Sequence, residues 1–329
     1  MSTAAAKRSP RRDSTASLDP IVRHYVPVDT WRETLMARVM RTSLFALFKP
    51  VMQPPVPLRI QRGVMHGLAV SMPGAGGVEI RHVKVHGMAM ERITPKGVKP
   101  RHAILYLHGG AFCVGSPRSH RSITTRLAKL TQAEVFVPDY RRIPEHAFPA
   151  QIEDGVKAYR YVLQQGFAAK RVAVAGDSAG GTMAFMLPAA AVAAGLAQPA
   201  ALAMISPALD LNLDSDSVRE RGHRDPLINP SWGRQAVQWM KTPPGHPLGN
   251  PKALSLAAYP PCLIQVGEDE VLYDDSVWAA HAVAQAGRHA ELEIYLKRWH
   301  VFHVHAAFMP SAQAALRRQA EFLFNHWAR

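Results

Sequence analysis

The sequence predicts an α/β protein, with a mostly parallel sheet covered by helices on both faces. Short apolar runs of strand length alternate with helix-length segments from about residue 78 onward, as successive crossover units require. A Gly-x-Ser-x-Gly stretch at 176–180 falls where one such run ends and a helix begins. Over 329 residues the chain is 47% apolar and 19% charged, which provides for a large core and excludes global disorder.

Residues 1–20 are small, polar and basic, with Lys7, Arg8, Arg11 and Arg12 and no apolar run behind them. A disordered tail is expected there, not a secretory signal. Thr30-Trp31-Arg32-Glu33 has the form of a capping box. Trp31, Leu35, Val39, Met40 and Phe48 follow at roughly helical spacing, and Pro50 stops the segment. With Arg32, Arg38 and Arg41 this helix is amphipathic and could lie on a membrane. Covering a groove of its own protein is the expected role. Residues 51–77, rich in Pro and Gly, read as a connector.

The alternation then proceeds in order. Strands are expected at 78–85, 103–107, 135–137, 171–175, 201–205, 262–266 and 292–296, and helices at 122–130, 152–163, from 179, at 274–285 and at 312–327. The apolar run 183–197 contains Pro188 and Gly195 and is too short to span a bilayer. It reads as a helix buried on all sides. Residues 210–250 break the rhythm with Pro, Asp and Gly and read as an insertion after a strand.

The chemistry lies at the strand ends. Gly176-Asp177-Ser178-Ala179-Gly180 joins a strand to a helix. A serine on so sharp a turn needs small neighbours, which Gly176 and Gly180 supply. The turn lifts the hydroxyl to the rim of the sheet and aims the Ala179 amide at a substrate oxygen. His108-Gly109-Gly110-Ala111-Phe112 follows an earlier strand. Its backbone can approach a ligand closely, and with Ala179 the amides of Gly109, Gly110 and Ala111 would form an oxyanion hole. A serine nucleophile needs a base, and the base needs an orienting carboxylate. Glu268, Asp269, Glu270 and Asp274 follow the strand at 262–266, and His300 follows the strand at 292–296. Consecutive strand–loop units set the acid beside the base.

Competing readings are weaker. The net charge of +14 invites nucleic acid, but residues 1–50 already hold nine Lys/Arg against four Asp/Glu and no aromatic-interleaved basic stripe occurs. His300, His303 and His305 lack the spacing and partners of a metal site, and His303 is expected to pack against the core. Cys113 and Cys262 cannot build a disulfide framework. They are expected as reduced thiols in the cytoplasm, with Cys113 a packing residue.

Taken together, His108–Phe112, the run Asp139-Tyr140-Arg141-Arg142-Ile143-Pro144-Glu145 and Gly176–Gly181 resemble the hormone-sensitive-lipase-like branch of the α/β-hydrolases over roughly residues 75–328. The segment around His300 is also similar to the ε-lactone hydrolases within that branch. The resemblance implies an eight-stranded α/β-hydrolase sheet, a small helical cap drawn partly from the N-terminus, and carboxylester hydrolysis without a cofactor. By position it implies Ser178 as nucleophile, His300 as base and Glu270 as acid, with 139–145 bracing the fold. Ala111 departs from the third glycine usual in the family, and Glu270 from the commoner aspartate. The domain organisation expected is a tail at 1–20, N-terminal cap helices at 21–60, and a catalytic domain at 61–329 with a cap insertion at about 210–250. Small esters or lactones are the expected partners, without nucleic acid or stable membrane insertion; a homodimer is left open. An amidase or peptidase on the same triad and a non-catalytic small-molecule receptor are the rival readings.

Overall fold

The computed structural model describes residues 19–27 and 30–328. Most of the expected tail lies outside the described residues. Strand β1 (Ile21–Tyr25) leads to helices α1 (Trp31–Ser43) and α2 (Leu58–Ser71). The hairpin β2 (Val78–Val85) and β3 (Met88–Pro95) follows. Next come β4 (Ala103–Leu107), α3 (Arg121–Thr131), β5 (Glu134–Pro138), α4 (Ala150–Gln164), β6 (Val172–Asp177), α5 (Ala179–Ala193) and β7 (Ala201–Ile205). Two short helices, α6 (Asp216–Arg221) and α7 (Pro230–Met240), precede β8 (Cys262–Gly267), α8 (Tyr273–Gln285), β9 (Ala290–Tyr295) and α9 (Pro310–His326).

The strands form one sheet in the order β1-β9-β8-β7-β6-β4-β5-β3-β2. Strand β3 alone is reversed, pairing antiparallel with β2 and β5, and every other pairing is parallel. The residues of β4 to β8 are buried on both faces, which is why these segments read as continuous apolar runs and not as alternations. The sheet has nine strands, not eight. The additional strand is β1, parallel to β9. Its sequence carries Arg23 and His24 and gives little strand signal. Backbone pairing at the sheet edge holds it, with Tyr25 stacked on Tyr295 at 4.9 Å and Arg23 bonded to Glu291. Strand β3 was obscured by Glu91 and Arg92, whose charges are met by Arg121 and Glu134.

The stretch expected as helices over 21–60 thus opens with a strand, and α2 runs on to Ser71 inside the expected connector. Gly63, Gly67 and the preceding prolines mask α2 in the sequence, although Gln61, Val64, Met65 and Leu68 keep its inner spacing. Helix α5 is buried almost all round, as its composition demands.

Helix α1 departs from expectation. Thr30 Oγ1 accepts the Glu33 amide at 3.2 Å, as a cap should. The Glu33 carboxylate does not return to the cap. It is buried, paired with the Arg298 guanidinium and accepting from Ser311 Oγ. Met36, Ala37 and Met40 join it on the inner face, and the stripe of Trp31, Leu35 and Val39 faces solvent instead of covering a groove. Removing one partner of a buried ion pair strands the other charge, at a cost of about 3–5 kcal/mol. Glu33→Ala should therefore lower the unfolding free energy from a denaturant titration by that order. A shift below about 1 kcal/mol would show that the pair does not anchor α1.

Candidate active site

Strands β4, β6, β8 and β9, with β7 between the two pairs, deliver the site at their carboxyl ends, where ligands bind in such sheets. Strand β6 ends in Asp177, and Ser178 takes φ 54° and ψ −122° before α5 begins. This backbone is strained for any residue with a side chain. The turn is closed by crowding: a Cβ on Gly176 would meet the Gly180 carbonyl, and one on Gly180 would meet that of Leu107. The glycines are therefore required by contact, as the sequence pattern implied.

Strand β4 leads into Gly109, Gly110 and Ala111. Gly110 has φ 116°, and Ala111 and Phe112 lie in the left-handed region at 49° and 59°. Alanine thus adopts the backbone that the missing glycine would have taken more freely. The Gly109 amide is a correction to the expected oxyanion set. It donates to the buried Asp177 Oδ1 at 3.1 Å, with His120 Nε2 at 3.3 Å, so it is committed to the protein. The amides of Gly110, Ala111 and Ala179 have no such bond among the described residues. Gly110 lines one cavity with Ser178; Ala111 and Ala179 line a second with the same serine.

Strands β8 and β9 lead into the loops that carry Glu270 and His300. Glu270 is fully buried, and its Oε1 lies 3.3 Å from His300 Nδ1. Its other oxygen accepts from Ser206 Oγ at 2.9 Å and the Gly267 amide at 2.8 Å. The rival carboxylates are engaged elsewhere. Glu268 accepts the Lys297 amide, Asp269 pairs with Arg41 and Arg224, and Asp274 accepts the Ser217 amide. Of the four, Glu270 alone is hydrogen-bonded to His300 among the described residues. Burial pulls the His300 pKa down, but the Glu270 hydrogen bond and the charges of Glu270, Asp225 and Asp177 outweigh it and hold the pKa above its ordinary value.

His303 and His305 do not join this centre. His303 Nε2 meets Gln265 Oε1 at 3.0 Å, and His305 Nδ1 lies 3.4 Å from Met72 Sδ. Burial lowers their pKa values to about 3 and about 4. Cys113 is buried with its thiol pushed up to about 12, an inert packing residue. In the 139–145 run, Tyr140 donates to the His108 carbonyl at 2.7 Å, Arg142 pairs with Asp139, and Glu145 forms a bidentate pair with Arg62 of α2. These contacts brace the loop after β4.

Sequence reasoning missed Asp177 and His120. Asp177 accepts from Tyr106 Oη at 2.7 Å and meets His120 Nε2 at 3.2 Å, besides holding Gly109. Burial opposes both charges, yet their mutual attraction prevails: the His120 pKa is raised and that of Asp177 lowered. The only sequence signal was Asp177's place inside the serine motif. Asp177→Ala should cost about 3–5 kcal/mol in a denaturant titration, because it orphans buried partners. Asp177→Asn keeps a carbonyl acceptor for Gly109 and should lose distinctly less. Equal losses would show that the charge, and not the Gly109 bond, matters most.

The two cavities, of about 70 and 60 Å³, flank Ser178 and are divided by Ile228 and Trp232, which line both. Phe48, Met65, Leu68 and Met72 face the first, and Phe112, Leu213 and Met240 the second.

A family model described as alpha/beta hydrolase fold matches residues 104–304. An acetyl-hydrolase of Streptomyces hygroscopicus is 40% identical over 222 residues, covering 67% of this chain and 74% of its own. An esterase of Acinetobacter venetianus is 33% identical over 264 residues, covering 79% and 87%. A crystal structure of an esterase from the bacterial hormone-sensitive lipase family superposes with a TM-score of 0.83 at 30% identity, over 91% of this chain and 99% of that one. The strained serine turn, the glycine loop beside it and the acid and base loops beyond it thus sit on a fold that sequence and structure both match, and the chain belongs to the α/β-hydrolase-fold family.

Proposed function

We propose that this chain, a carboxylic-ester hydrolase by its relatives, works by two-step acyl transfer, with Ser178 as nucleophile, His300 as base and Glu270 as the acid that orients it. The observation carrying the reading is the Glu270–His300 hydrogen bond beside a strained serine that shares a cavity with His300. Glu270 holds Nδ1 and leaves Nε2 to take the proton as Ser178 Oγ attacks the ester carbonyl. The amides of Gly110, Ala111 and Ala179 stabilise the oxyanion, each worth roughly 10²–10³ in rate. Collapse expels the alcohol, protonated by His300, and a water activated by the same histidine releases the acid. Protein groups and water suffice for every step.

The two small apolar cavities suit a short acyl group on one side of Ser178 and a modest alcohol on the other, in keeping with a relative named acetyl-hydrolase. Lactones are a second substrate class for the same chemistry. We take the N-terminal helices and the 210–250 insertion as the cap, since Phe48, Met65, Leu68 and Trp232 line the cavities. Two buried thiols, with no disulfide among the described residues, favour a reducing cytoplasmic setting. Among the described residues no helix is long and apolar enough to cross a membrane.

A panel of p-nitrophenyl esters, lactones and anilides decides the reaction class. Short and medium esters should turn over, and folded Ser178→Ala should lose this activity. Anilides as the preferred substrates would make the chain an amidase, and no turnover with tight ligand binding would make it a receptor. Wild-type rates in Ser178→Ala would exclude the mechanism. The free-enzyme kcat/KM should rise with pH through His300, because only neutral imidazole accepts the proton. Since the His300 pKa is raised, this limb should lie above pH ~6.5. Glu270→Gln removes two of the influences that raise it, so the limb should move to lower pH while kcat falls up to ~10⁴-fold. An unmoved limb would show that Glu270 is not the partner of the base.

A further inference from the structure

The solvent face of α1 has no part in the ester chemistry. Trp31 is 72% exposed, Leu35 44% and Val39 42%, and their i, i+4, i+8 spacing makes them one stripe. The exposed charged residues of this helix are Arg32 and Arg38, both cationic; its one acidic residue, Glu33, is buried. The Arg32 guanidinium lies over the Trp31 ring at 5.4 Å.

Beside the stripe, a groove of about 430 Å³ is lined by Val26, Arg38, Arg41, Lys297 and Arg298, with Glu33 its only carboxylate. Arg41 and Arg298 are neutralised by Asp269 and Glu33. The Arg38 and Lys297 side chains are exposed and form no ion pair among the described residues; Glu268 reaches Lys297 only at its backbone amide, at 2.9 Å. The sequence ahead of α1 adds Lys7, Arg8, Arg11 and Arg12.

A second copy of this chain is a poor occupant. Three side chains fall far short of the roughly 800 Å² per partner that a stable interface buries, and two such faces would set arginine against arginine. An apolar stripe that includes tryptophan, and whose exposed charged neighbours on the helix are both arginines, complements a negatively charged lipid surface. We propose that α1 docks this chain peripherally on an anionic phospholipid surface. Trp31, Leu35 and Val39 enter the interface, and Arg32, Arg38 and Lys297 meet the phosphates. α1 runs directly into the turn at Leu44–Phe48, whose last residue lines the Ser178 cavity, so the docked helix is continuous with the wall of the site. The proposal does not depend on ester hydrolysis.

Sedimentation of the full chain with vesicles of phosphatidylcholine alone, or mixed equally with phosphatidylglycerol, tests it. Binding to the anionic vesicles should be at least about tenfold tighter and should weaken at high salt. The pairs Trp31→Ser/Leu35→Ser and Arg32→Glu/Arg38→Glu should each reduce partitioning about tenfold. Circular dichroism and p-nitrophenyl acetate turnover should stay as in the parent. Absent binding, equal binding to both vesicles, or variants that bind like the parent would overturn the proposal. So would a dimer in light scattering that Trp31→Ser/Leu35→Ser dissolves, which would make this face an interface between copies.

Discussion

Asp177 stands between the serine turn and the glycine loop and couples them. Its carboxylate accepts the Gly109 amide and the Tyr106 hydroxyl and meets His120, all out of water. The residue next along the chain is Ser178. The backbone that strains the serine is thereby bonded to the loop that offers Gly110 and Ala111. A buried carboxylate is costly unless every lone pair is used, and here hydroxyl, amide and imidazole share it. The consequence is geometric. The Asp177–Gly109 bond ties the turn that carries Ser178 to the loop that carries Gly110 and Ala111, the kind of preorganisation that the proposed acyl transfer would reward.

The acid and base loops are secured differently, from outside the sheet. Glu33 of α1 holds Arg298, two residues before His300. Arg41 and Arg224 hold Asp269, the residue before Glu270, and Lys49 bonds the carbonyls of Gly222 and Asp225. The same helix and the 210–250 insertion thus brace the loops of Glu270 and His300 while lining or approaching the cavities. Cavity lining and loop support are drawn from shared elements, so altering these elements would disturb the loops as well as the pocket.

Much of this was legible because its causes are local. Five strands of the sheet are buried on both faces, so β4, β6 and β8 announce themselves as apolar runs. The serine turn shows through glycines that contact alone requires. What escaped depends on partners far along the chain. β1 exists through backbone pairing with β9, some 270 residues away, and β3 carries Glu91 and Arg92 that are neutral in effect only once Arg121 and Glu134 arrive. α2 was hidden by its glycines. The capping-box glutamate was diverted to Arg298, and the Gly109 amide to Asp177; neither partner can be inferred from spacing. Glu270 needed the family resemblance in the sequence, whereas in space its rivals are each visibly occupied.

Strain is distributed with the same logic. Ala111, Phe112, Ser178, Ser206 and Val301 all have φ between 47° and 59°, and each of these backbones costs on the order of 1–3 kcal/mol. They lie in the glycine loop after β4, the serine turn, the loop bonding Glu270 and the residue after His300. A valine at positive φ is the least comfortable of them, since its branched side chain has no relief there. Such positions persist only when their surroundings over-determine them. Val301 and Phe112 are buried in the main core, Ser206 donates to Glu270, and Ser178 is closed in by Gly180 against Leu107. The core that makes the strands legible is therefore also what keeps the reactive turns in conformations they would not hold alone.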